Sequence, residues 1–175
     1  VPTVDIPAAK SIPDGNLIRL AGKVVTSGTQ GLAYVEEPNA LAGIRIDYAS
    51  NLASPALVDV IGTMDTVHGE RVLCADTVDV LGTGAQVEPY AAAVASIGGG
   101  TFGLQDAVRQ YRGNCLQWTL GLNNIGLLLR VAGKVTAVGD GFFYLDDGSG
   151  CTDSSTSPGV RVICAQDVSV SDGQY

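Results

Sequence analysis

Apolar and polar residues alternate along the first half of the chain in short, punctuated runs. Ile18, Leu20 and Val24 alternate with Arg19 and Lys23. That two-residue period belongs to a strand with one buried face. Gly22 interrupts the run, and a glycine inside a strand pattern predicts a bulge or sharp bend. A short aromatic run follows at Ala33-Tyr34-Val35, and then Gly43-Ile44-Arg45-Ile46-Asp47. Ser54-Pro55-Ala56 breaks the chain before two longer runs. These are Leu57 to Met64, and Arg71 to Cys74 continuing through Val78 to Leu81, with His68-Gly69 as the turn between them.

The pattern recurs. Arg19-Leu20-Ala21-Gly22-Lys23-Val24, Tyr34-Val35-Glu36-Glu37 and Gly43-Ile44-Arg45-Ile46 are matched in order by three later motifs. Those are Arg130-Val131-Ala132-Gly133-Lys134-Val135, Tyr144-Leu145-Asp146-Asp147 and Gly159-Val160-Arg161-Val162. The second copy carries a longer insertion of loop composition, from Gly150 through Ser157 to Pro158. Internal repetition at this spacing predicts two copies of one β unit.

Five strands with a bent first strand describe the oligonucleotide/oligosaccharide-binding (OB) fold, a small five-stranded barrel. The matched motifs, Tyr144-Leu145-Asp146-Asp147-Gly148-Ser149-Gly150 above all, resemble tandem OB-like modules of bacterial secreted and cell-surface proteins. The resemblance leaves residues 1–15 and 87–124 uncovered. It implies architecture, export and a non-catalytic accessory role. The fold class expected is all-β, with two OB-like barrel motifs in tandem, the second incomplete within the chain.

Four segments follow from this reading. Residues 1–15 form an extended arm, 16–86 the first barrel, 87–124 an ordered linker packed between barrels, and 125–175 the second barrel. Copy two stops at Val168 to Tyr175, short of a fourth and fifth strand, and a barrel without them leaves edges to be covered. The cover could come from the middle segment, from further sequence, or from another copy. Val1, Pro2, Thr3, Val4, Asp5 and Ile6 alternate and are the donor candidate for strand addition. A frayed terminus is the plain alternative. Head-to-tail exchange of such an arm would build an open homopolymer.

Composition narrows the function classes. Charged residues make up only 16% of the chain and the net charge is −8, which disfavours nucleic acid and anionic membranes as partners. No apolar run reaches the length of a membrane span. A start at Val1 reads as a processed chain or a trimmed one. The four cysteines, Cys74, Cys115, Cys151 and Cys164, predict two disulfides and an extracellular setting, with buried thiols as the alternative. Cys115 to Cys74 and Cys151 to Cys164 are the natural pairs, although the spacing leaves every pairing open.

Little in the sequence suggests catalysis, and the expectation is that the protein is not an enzyme. The single His68 falls in a turn, a poor place for a triad. Glu36-Glu37 and Asp146-Asp147 are adjacent carboxylates that point to opposite faces of a strand, and they read as solvated strand ends. Asp140, Asp146, Asp147 and Asp153 are calcium candidates without the regular loop spacing. Tyr34, Phe142 and Tyr144, with Arg45 and Arg161 on the next strand, are candidate ligand-facing aromatics. They suit a polysaccharide better than a nucleic acid at this charge. Ser154, Ser155, Thr156 and Ser157 are candidate O-glycosylation positions in a plain loop. The leading expectation is a self-assembling subunit of a surface filament. The alternative is a carbohydrate-binding module.

Overall fold

The computed structural model describes every residue except 30, 113–114, 119–120, 153–154, 165–170, 172 and 174–175, and only the backbone of the strands within 109–120. The chain divides into two compact units. The first comprises Val1–Tyr90, Thr101–Asp106 and Asn123–Leu129, and the second Ala91–Gly100, Ala107–Leu122 and Arg130–Tyr175. Segment 87–124 is therefore divided between the units and does not form a body of its own.

The first unit holds β1 (Thr3–Val4), helix α1 (Ile6–Ala9), β2 (Leu17–Thr29), β3 (Gly31–Glu36), β4 (Gly43–Tyr48), β5 (Ala56–Val67) and β6 (Glu70–Thr83). The strands run in the order β1-β2-β3-β4-β6-β5, and β5 returns to pair with β2. Strands β2 to β6 thus close into a five-stranded barrel, as the alternation predicts. Burial in β5 alternates without a break from Ala56 to Met64, so one face of this strand fills the interior. Val25, Val35, Ile46, Val58, Val60 and Met64 are fully buried there.

Local chemistry places the corners. Gly22 has φ +62°, a conformation in which a side chain is strained. The β2–β5 register slips beside it, between Leu20 and Lys23. The Gly22 N–H, freed from the ladder, donates to Asp59 Oδ1 at 2.7 Å, and Arg19 pairs with the same carboxylate. His68 and Gly69 both have positive φ and sit between the paired Val67 and Glu70. That is the tight hairpin turn the sequence predicts.

The N-terminal segment is not a free arm. Thr3 and Val4 pair in parallel with Arg19 and Leu20 of β2. Ile6 and Ala9, on the short helix capped by Asp5, belong to the barrel core at 0% exposure. Ile6 is a large aliphatic residue, and the core of its own chain offers the nearest place to bury it.

The second unit contains a hairpin of β8 (Arg109–Arg112) and β9 (Cys115–Trp118), a single 3-10 turn at Val94–Ser96 and an antiparallel sheet. The sheet orders β11 (Lys134–Gly139), β12 (Phe142–Asp146) and β13 (Val160–Ile163). Its pairing repeats that of the barrel. Val25–Val35 and Ser27–Tyr34 flank a register break in copy one, and Val135–Leu145 and Ala137–Tyr144 flank the matching break in copy two. Tyr34 faces Arg45 across the strands, as Tyr144 faces Arg161. Among the described residues this sheet has three strands and does not close. Phe143, Leu145 and Val162 are accordingly only half-buried, and Ile163 is 67% exposed.

The cysteines do not behave as expected. Cys74, Cys151 and Cys164 are in no disulfide, and the side chain of Cys115 lies outside the described residues. Buried Cys151 instead takes a hydrogen bond on Sγ from Ser149 Oγ at 3.2 Å. Cys151 serves here as a small buried residue.

Because Ile6 is packed on all sides, Ile6→Ala should lower the unfolding free energy by about 2–5 kcal/mol, measured by urea denaturation. A loss within error would mean that the segment does not contribute to the barrel core.

Candidate functional site

Charge is buried at one group of sites in the first unit where the sequence pattern predicts solvent. Glu36 closes β3 and is 1% exposed. The Glu37 side chain next to it is only 12% exposed. The expectation of solvated strand ends fails because both carboxylates have internal donors. Glu37 lies 2.8 Å from Lys23 Nζ, itself nearly buried, and its Oε1 accepts the Ile6 N–H at 2.7 Å. Glu36 Oε1 accepts the Leu128 N–H at 2.5 Å. Burial pushes the Glu36 carboxyl above its ordinary range, opposed by the hydrogen bonds from Leu128 and Thr26.

A second buried cation lies at the end of α1. Lys10 is 1% exposed. Its Nζ donates to Asn123 Oδ1 at 3.1 Å and to the Ile125 carbonyl at 2.9 Å. Burial lowers its pKa to about 8, and the charge of Glu70 resists that shift. Asn123 and Asn124 are buried beside it. The 123–128 segment reaches these groups because Gly43 and Gly126 pack backbone to backbone, so closely that a Cβ at either would collide with the other. Two of the three lysines of the chain are thus internal. The signal available in the sequence was their scarcity.

A cavity of about 260 Å³ opens beside Glu36, lined by Val25, Thr26, Pro55, Gln86, Val87 and Leu128 among others. Thr26 and Leu128, whose N–H donates to Glu36, line it.

The residues singled out from sequence are scattered. Tyr34 is half-exposed on β3. Burial, then the charge and hydrogen bond of Glu70, raise its phenol to about 12. Arg45 bridges Asp47 at 2.7 Å and approaches Glu70 at 3.7 Å, so an aromatic, two carboxylates and a guanidinium share this outer face. In the second unit Phe142 and Tyr144 meet edge to face at 6.0 Å, and the Arg161 guanidinium lies 3.9 Å over the Phe142 ring. Tyr144 is 6% exposed, so it is a packed residue and not an open platform for a ligand. Phe142 has its face covered by Arg161.

The acidic loop of copy two is engaged in turn formation. Asp146 Oδ1 accepts from the Gly148 N–H and Asp147 Oδ1 from the Ser149 N–H. Asp147 Oδ2 accepts from the Val94 N–H at 2.8 Å. Burial pushes Asp147 up, but the hydrogen bonds from Ser149 and Val94 prevail and hold it below the usual range. Among the described residues no cluster of His, Cys, Asp or Glu is arranged to hold a metal, and Asp153 lies outside them. His68 is exposed at its hairpin tip. Ser155 and Thr156 are exposed and Ser157 is partly so. Ser154 lies outside the described residues. Arg71 is 2% exposed; it pairs with Asp14, bonds Thr66 and donates to the Ile12 carbonyl. It anchors the stretch before β2 to the barrel.

Comparison of the chain with protein-family models, curated proteins and solved structures yields no match.

A carboxyl whose pKa rises on folding is stabilised in its protonated form, so its contribution to stability falls as pH rises from the unfolded value. Glu36→Gln should remove that component. The stability of the native chain relative to this variant should decrease as pH is raised from about 4.5 toward neutrality. Paired urea titrations check this, and a constant difference would place Glu36 in a solvated setting.

Proposed function

We propose that this is a non-catalytic extracellular structural protein whose copies associate head to tail by strand addition into a surface fibre. The finer architecture proposed with it is a pair of OB-like motifs, one closed and one completed from outside. The strand order of the first unit, with its third and fifth barrel strands parallel, supports the OB-like assignment.

One observation carries the reading. The β11-β12-β13 sheet reproduces the register of β2-β3-β4, yet among the described residues it has no counterpart of β6 on the outer edge of β13. In the first unit that edge is filled by a parallel strand, with Ile46 beside Leu73. The occupant is therefore a parallel, β-branched or aliphatic strand, and we assign it to a second copy of the chain. The exposed Ile163 at this edge is the kind of apolar edge that invites pairing. Val1 to Ile6, occupied in their own barrel, could act as a donor only by exchange between copies.

A carbohydrate-binding role is the second reading. It rests on the outer-face group of Tyr34, Arg45, Asp47 and Glu70. An aromatic ring flanked by fixed polar groups is the chemistry of sugar recognition.

Electron microscopy of native material decides between them. Regular fibres that disappear in Ile163→Lys, with β-barrel unfolding unchanged, are expected. Monomeric particles that are retained on a polysaccharide column, and that lose retention in Tyr34→Ala, would overturn the fibre reading in favour of the second.

A further inference from the structure

Independently of that reading, we infer that Lys10 and Asn123 form an intramolecular isopeptide bond that ties α1 to the 123–128 segment. The pair is placed for it. The Lys10 amine and the Asn123 amide are both buried, at 1% and 6% exposure. Nζ lies 3.1 Å from Oδ1, which puts the carbonyl carbon one bond beyond. The Ile125 carbonyl at 2.9 Å holds the amine in place, and the Lys10 carbonyl is fixed by the Leu104 N–H at 2.8 Å. Two groups held this close react as if at very high concentration.

The chemistry balances within the chain. The unprotonated Lys10 amine adds to Asn123 Cγ. The Nζ–Cγ bond forms and the Cγ–Nδ2 bond breaks. Nδ2 departs as ammonia, taking a proton given up by Nζ. The step consumes no oxidant, cofactor or water. Burial brings the Lys10 pKa down to about 8, so a minor share of the amine is unprotonated near neutral pH and the greater share above pH 8. The charge of Glu70 opposes that shift. Loss of solvent around the pair also keeps water from competing at Cγ. The linkage would join positions far apart in sequence, closing a loop that spans the whole barrel, and such closure restrains the unfolded chain.

Intact-mass measurement of the denatured full chain tests the inference. The expected result is a protein lighter than its sequence by one ammonia, with a branched peptide joining Lys10 to Asn123 after proteolysis. Lys10→Arg and Asn123→Ala should each restore the full sequence mass. A chain of full sequence mass after prolonged incubation above pH 8 overturns the inference. So does an ammonia loss that persists in Lys10→Arg, because that would mark cyclisation of an asparagine onto the backbone. Neither outcome depends on fibre formation, since the readout is the mass of a single chain.

Discussion

The parallel pairing of β4 with β6 is the contact on which the first unit depends. Arg45, Ile46 and Asp47 meet Val72, Leu73 and Cys74 there, and this ladder brings the last strand back beside the third. With β5 joined to β2, the sheet has no free edge within the barrel. Every inward residue then faces another inward residue across a narrow interior, which is why Ile44, Ile46, Val58 and Val60 reach essentially complete burial. Among the described residues the second unit shows the same three-stranded pattern without this contact. Its equivalent positions, Val160 and Val162, are half-buried.

Closing so small a barrel leaves its ends to be covered. The structure does this with parts remote in sequence: α1 contributes Ile6 and Ala9, and the 123–128 segment brings the Leu128 N–H onto Glu36. These covers carry backbone N–H groups that would be costly to bury unpaired. Glu36 and Glu37 accept from Leu128 and Ile6 respectively, and Lys23 neutralises Glu37. The buried carboxylates therefore follow from closing the barrel ends. Their role is to satisfy donors, and the raised Glu36 carboxyl records the energetic cost of keeping a charge there.

Barrel strands, the Gly22 bend and the His68-Gly69 turn were legible because each rests on a local rule: period-two alternation, positive φ at glycine, a two-residue hairpin. The repeat was legible down to the Tyr–Arg cross-strand pair, since register follows the alternation. The buried lysine and glutamate groups were not. Glu36-Glu37 looks the same in sequence whether it ends at solvent or under a cover, and nothing near it in the chain announces Leu128. Cys74, Cys151 and Cys164 are in no disulfide, since cysteine number and spacing say nothing of the distance between thiols in the fold.

The sequence by itself determined which residues form strands, where they bend and turn, and that one three-strand pattern is used twice, because backbone sterics and side-chain period act over a few residues. Only the tertiary structure decided that the N-terminal segment folds onto its own barrel. It alone decided that Lys10, Lys23, Glu36 and Glu37 lie inside, and that one copy of the pattern closes while the other, among the described residues, remains a three-stranded sheet. These outcomes depend on which distant segment arrives to cover an edge or an end, and the burial and pairing that decide it exist only once the chain has come together.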